Sequence, residues 1–147
     1  MSRKRENVRQ CKAIRQLIDD NKYTKALELI DAIPLEEVGS LDDLYRYAEL
    51  YEKAERMDKK KEIFYHIYHR THSRYMLNRL LRLTIRMGDM EEARELYFAY
   101  EVAGPITLDT FELRYLLAKA EGEPPERLIH LYSLCFLDLY SKLCLNL

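Results

Sequence analysis

The sequence predicts an all-α chain of about four antiparallel helix pairs, and three observations predict it. Four short turn-like breaks, Asn21-Lys22-Tyr23, Glu55-Arg56-Met57, Gly88-Asp89-Met90 and Gly122-Glu123-Pro124, have first residues 34, 33 and 34 apart. Each break precedes an amphipathic run: TKALELIDAI, DKKKEIFYHIYHR, EEARELYFAY and PERLIHLYSL. With four Gly and four Pro in 147 residues, the chain lacks the breakers that a many-stranded sandwich or barrel requires. A fixed period of this size is the signature of stacked supersecondary units.

The elements follow in order. Helices are expected over 5–19, 23–33, 41–55, 58–70, 73–87, 89–102, 107–120 and 125–140, with no strands. In the third, Leu44, Tyr47, Ala48 and Tyr51 fall at i, i+3, i+4 and i+7, one face of a helix. Ser40-Leu41-Asp42-Asp43 resembles a capping box at its start, with aspartate where glutamate is commoner. Gly88 stands where a helix end needs a left-handed residue, and Gly104-Pro105 is read the same way after Tyr100. Asp89-Met90-Glu91-Glu92 matches an acidic N-cap and first turn, and Pro124-Pro125 suits the opening of the last run. Aligned on the breaks, Ala26, Lys60, Ala93 and Arg127 share one column. Ile30, Phe64, Tyr97 and Leu131, four residues on, form a second column that is expected to be a buried seam. Tyr47, Tyr51, Tyr97 and Tyr100 are expected in the core.

These residues resemble the tetratricopeptide repeat, a 34-residue helix-turn-helix unit. The resemblance rests on Leu44, Ala48, Tyr51 and Phe64 in the second repeat, and on Leu77, Leu80, Gly88, Ala93 and Tyr97 in the third. Leu17, Tyr23 and Ala26 carry it in the first. Lys60 and Arg127 depart from the family's small alanine, and no repeat has its tryptophan. The match covers residues 7–134 and is best in the middle two repeats. It implies a right-handed α-solenoid over 1–147, with repeats at 5–39, 40–72, 73–106 and 107–140 and an atypical end at 128–147. It also implies a concave face, built by the first helices, that holds a peptide or a partner helix. Carried onto this chain, that groove comprises Asp42, Tyr45, Glu49 and Glu52, then Tyr75, Asn78, Arg82 and Ile85, then Asp109, Glu112, Leu116 and Lys119. The first repeat supplies Val8, Cys11, Arg15 and Ile18. Acidic and aromatic residues replace the Lys/Asn/Arg carboxylate clamp of some family members. Tyr45 and Tyr75 are the candidate aromatic anchors.

Composition narrows the function. Twenty-four basic residues against twenty-five acidic ones give a net charge of −1, which disfavours a generic phosphate-backbone binder. Charge is blocked along the chain: +5 over 1–15, −7 over 16–55, +5 over 56–94 and −4 over 95–147. Such blocks read as solvated faces that set register, or as a groove for a peptide of mixed charge. Cys11, Cys135 and Cys144 show no CxxC spacing, so neither a zinc clip nor a disulfide framework is indicated. The basic stretch at the N-terminus has no apolar run behind it, so a cytoplasmic protein is expected.

No catalytic constellation stands out, and the chain reads as non-enzymatic with no cofactor. His66, His69 and His72 drift around a helix, so they read as polar-face histidines near a helix end. Glu36-Glu37 and Glu91-Glu92 are neighbours in sequence alone. Cys11 beside Lys12 is at most a reactive thiol. Residues 88–97 and Ala103-Gly104 also look like a pentatricopeptide repeat, which reads single-stranded RNA. The acidic residues at 42, 49, 52, 109 and 112 would repel phosphates, so nucleic acid is not the expected partner.

The C-terminal stretch is the exception to the pattern. Fourteen of the twenty residues 128–147 are hydrophobic and cover every helix face, where a last repeat should be polar outside. Asp138 and Lys142 argue against a membrane span. A homodimer or a missing partner through Leu131, Leu134, Phe136, Leu137, Leu139, Tyr140 and Leu143 accounts for it, as would a chain stopping where repeats ordinarily continue. The expected function is a non-catalytic module that binds a peptide or partner helix. The alternatives are a self-associating structural module and an RNA reader.

Overall fold

Helix ends set the frame. The computed structural model describes residues 3–124, 126–130, 133, 134, 136, 137 and 141. Asn21, Glu55, Gly88 and Gly122, the first residues of the four breaks, all have left-handed backbone, with φ of 57°, 59°, 83° and 82°. Each donates its N–H to a carbonyl three residues back: Ile18, Glu52, Ile85 and Lys119. The following residue donates five back: Lys22 to Leu17, Arg56 to Tyr51, Asp89 to Thr84 and Glu123 to Ala118, at 2.8, 2.8, 3.3 and 3.1 Å. This pair of bonds satisfies carbonyls that a helix end otherwise strands. The stride in the sequence is therefore a stride of one repeated backbone device.

The described residues are helical, with no strand among them. Two compact units divide the chain at the boundary between the second and third repeats, Met1–His72 and Ser73–Leu147. The first holds α1 (Arg3–Asp19), α2 (Tyr23–Ala32), a 3₁₀ turn (Leu35–Glu37), α3 (Leu41–Lys53) and α4 (Met57–Thr71). Here α1 packs on α2, α2 on α3 and α3 on α4. The second holds α5 (Arg74–Met87), α6 (Met90–Val102) and α7 (Leu108–Ala120), followed by helical residues at 126–130, 133, 134, 136, 137 and 141. Here α5 packs on both α6 and α7, and α6 on α7.

Local chemistry explains the boundaries. Ser40 Oγ accepts the Asp43 N–H at 3.4 Å, Ser73 Oγ that of Met76 at 3.4 Å, and Asp89 Oδ1 that of Glu92 at 3.2 Å. Pro34 holds Ile33 in extended backbone, φ −92° and ψ 129°, and so stops α2 at Ala32. The chain then makes the 3₁₀ turn, an element with no periodic signal of its own. Gly104 does not follow the expectation, because it lacks positive φ. Its need is space: a Cβ there would lie 2.7 Å from Arg74 Nη1. Arg74 stacks 4.1 Å over the Tyr100 ring and donates to the carbonyls of Tyr100 at 3.0 Å and Pro105 at 2.7 Å. One guanidinium thus ties the end of α6 to the approach to α7.

Each unit has its own core. Ile14, Ala26, Ile30, Leu44, Tyr47, Ile63, Phe64 and Ile67 are buried in the first. Met76, Leu77, Leu80, Leu81, Ala93, Tyr100 and Leu113 are buried in the second. Each large apolar side chain so buried contributes about 1.5–3 kcal/mol. The seam column holds at Ile30 and Phe64, while Tyr97 is half-buried. Leu131 lies outside the described residues. The other column shifts in its last member: Leu128, whose N–H bonds Pro124 O at 3.1 Å, is buried, while the Arg127 side chain is 74% exposed. One extra residue before the last helical stretch moves the register by a place.

Candidate functional site

The expected groove residues fall on the first helices, and each unit presents its own set. On α3, Asp42, Tyr45, Glu49 and Glu52 sit at i, i+3, i+7 and i+10, a single face. Asp42 and Glu49 are exposed, and Tyr45 and Glu52 half-buried. Glu52 bonds Lys60 Nζ at 3.0 Å, and the Lys60 side chain is 8% exposed, its ammonium 5.3 Å from the Phe64 ring centre. Lys60 occupies the helix position of Ala26 and Ala93, so its long stem is buried at the crossing and its charge needs a carboxylate there. Glu52 is in this way drawn partly into the framework.

The first repeat's positions are similarly divided. Val8 is exposed and Ile18 half-buried, while Cys11 is buried. Arg15 forms a two-pronged pair with Asp43, at 2.9 and 3.0 Å, and Asp43 is 3% exposed. That bond raises the Arg15 pKa and commits the Asp43 carboxylate, which the capping reading had placed at the helix start. Tyr47 is fully buried beside this pair. Burial, then Cys11 and Asp43, drive its pKa far up, so it stays neutral.

In the second unit the structure brings three of the eight named residues together. Arg82 Nε donates to Asn78 Oδ1 at 2.7 Å, and Arg82 Nη1 meets Glu112 Oε1 at 3.2 Å, joining α5 to α7. Tyr75, one α5 turn before Asn78, is 63% exposed, with Arg79 Cζ 5.8 Å from its ring centre. Asp109 is exposed at the start of α7, apart from these bonds. The result is an aromatic side chain standing in solvent beside a fixed polar cluster.

Of the proposed self-association residues, Leu134 and Leu137 are 50% and 59% exposed. Tyr140 and Leu143 lie outside the described residues, as do Leu131 and Leu139. No helix among the described residues is long and apolar enough to cross a membrane, and no group of three His, Cys, Asp or Glu among them could hold a metal ion. His69 stacks on Tyr65 and His72 meets Tyr68 edge-on. His66 has a buried Nε2 without a partner, and burial followed by Arg70 lowers its pKa.

Sequence reasoning missed two features that depend on the fold. One is the cluster of Asp31, Tyr51 and Arg56. The Tyr51 hydroxyl donates to Asp31 at 2.5 Å, and Arg56 Nη1 meets the same carboxylate at 2.9 Å. The other is a group of clefts, of which two lie between helices in corresponding parts of the two units. The first, of about 170 Å³, is lined by Ile30, Asp31, Tyr51 and Ile63 among others; the second, of about 270 Å³, by Tyr97, Arg114, Ala118 and Leu128 among others. Repeat register between Tyr51 and Ala118 was the available signal for the second. No protein-family model, curated protein or solved structure matches the chain.

Proposed function

We propose that the helix pairs are tetratricopeptide-like repeats, and that the chain is a non-catalytic module holding a peptide or partner helix against its first helices. The supporting observation is Tyr75, held 63% exposed on the α5 face that also carries Asn78 and Arg82, with Glu112 facing them from α7. A large rigid aromatic with a polar rim is the usual anchor of a polypeptide interface. The Asn78–Arg82–Glu112 bonds fix the rim before binding, which reduces the ordering cost on association. The test is co-purification with the wild-type chain and with Tyr75→Ala/Arg82→Glu, folding being checked by circular dichroism. A partner retained by the wild type and lost by the folded variant is expected. Retention of the same partner by both would overturn the reading.

A second reading, self-association, is favoured by the exposure of Leu134 and Leu137 on the last helical stretch. It predicts a mass that rises with concentration in light scattering and returns to the monomer value in Leu137→Asp. A monomer at every concentration would exclude it.

A further inference from the structure

Each unit contains an interhelical cleft, and the two share lining positions in register. Each cleft lies between the second helix of one pair and the pair that follows. Register fixes the correspondence: Lys22 and Asp89 start α2 and α6 with similar backbone, φ −91° and −86°, so Ile30 matches Tyr97. Tyr51 matches Ala118, because each carbonyl accepts the bond from the residue after the left-handed position. In the first unit Tyr51 forms part of the cleft wall. Its ring is buried, its hydroxyl is held by Asp31, and Arg56 lies 5.0 Å from the ring centre. In the second, Ala118 offers a methyl group in that place, on the wall of a cleft of about 270 Å³.

Charge at the second cleft is uneven. Glu121 is held by Arg94 and Glu123 by Arg127, the latter at 3.3 Å. Arg114, one turn before Ala118 on α7, also lines the cleft and makes no ion pair among the described residues. One guanidinium is therefore left over an apolar floor of Tyr97, Leu117, Ala118 and Leu128.

The geometry points to this cleft as the seat of an aromatic side chain from a partner polypeptide, next to an acidic residue of that partner. The ring takes the place beside Tyr97 that the Tyr51 side chain occupies beside Ile30 in the first unit, and the carboxylate pairs with Arg114. This extends the reading of the chain as a polypeptide binder to a second place on the same unit.

The test is a ¹H–¹⁵N NMR titration of the full chain with acetyl-Glu-Tyr-amide. Saturable shifts at the Leu117, Ala118 and Leu128 amides are expected, with the millimolar affinity proper to so small a ligand. Ala118→Tyr puts a ring of the chain's own in the proposed seat, as Tyr51 stands in the first unit, and abolishes the shifts. Arg114→Glu, at an exposed position, reverses the charge and weakens binding about tenfold or more. Absence of saturable shifts, or a titration unchanged by Arg114→Glu, would overturn the proposal, whether or not Ala118→Tyr folds. The titration reads only the cleft, and the α5–α7 face has its own test in Tyr75→Ala/Arg82→Glu, so either can fail alone.

Discussion

Glu55 holds a backbone conformation that suits glycine, with φ 59°, in a place where two of its three counterparts are Gly88 and Gly122. A side chain in the left-handed region costs about 1–2 kcal/mol, and glycine returns part of that as unfolded-state entropy. Glu55→Gly is therefore expected to raise unfolding free energy by about 0.5–1 kcal/mol, and Gly88→Ala to lower it by about 1 kcal/mol. A Cβ at Gly88 meets nothing within 4 Å, so its loss is a backbone term alone. Chemical denaturation of both variants checks the pair. Asp31 supplies a pH prediction at the same scale. The Tyr51 hydroxyl bond, and after it Arg56, hold its carboxyl below the usual range against the effect of burial. In the window below about pH 4 the unfolded chain binds the proton and the folded chain does not, so stability rises with pH there. The contribution is present above the unfolded pKa and lost as pH falls through the folded one. Tyr51→Phe should flatten this part of the stability–pH curve, and an unchanged slope would contradict the assignment.

Elements were legible where period and punctuation agreed. The expected and observed helices differ by at most two residues at any end through α7, because Ser40, Ser73 and Asp89 cap and the left-handed residues stop. The 3₁₀ turn at Leu35–Glu37 was not legible, since three residues carry no period. Its place is fixed by distant partners: Glu37 meets Arg3 at 2.9 Å, and the Leu35 carbonyl accepts from Arg70 at 3.1 Å. Gly104 was misread for a related reason. A glycine after a helix looks the same in sequence whether it serves φ or clearance, and only the approach of Arg74 decides. The candidate site was legible only as positions along single helices. The family resemblance put Tyr75, Asn78 and Arg82 on one face of α5, but the Glu112 bond to Arg82 crosses 30 residues and belongs to the packing of α5 on α7.

At the scale of the molecule, the stride of 34, 33 and 34 residues reflects one helix-stop device used four times. Repetition of a device does not repeat the side chains on it. Lys60 takes an alanine's place and draws Glu52 inward; Ala118 takes a tyrosine's place and leaves a cleft. The charge blocks follow the same logic: the acidic stretch 16–55 and the basic stretch 56–94 meet in pairs such as Asp31–Arg56 and Glu52–Lys60. Part of the blocked charge thus joins one helix to the next, and the exposed aromatic on α5 is the anchor we propose for a partner.

Amide hydrogen exchange on the chain with and without its co-purified partner tests the central claim most directly. Binding on the first-helix face predicts slowed exchange in α5 around Tyr75–Arg82 and in the first turns of α7. Unchanged exchange in both helices while the partner remains bound would contradict it.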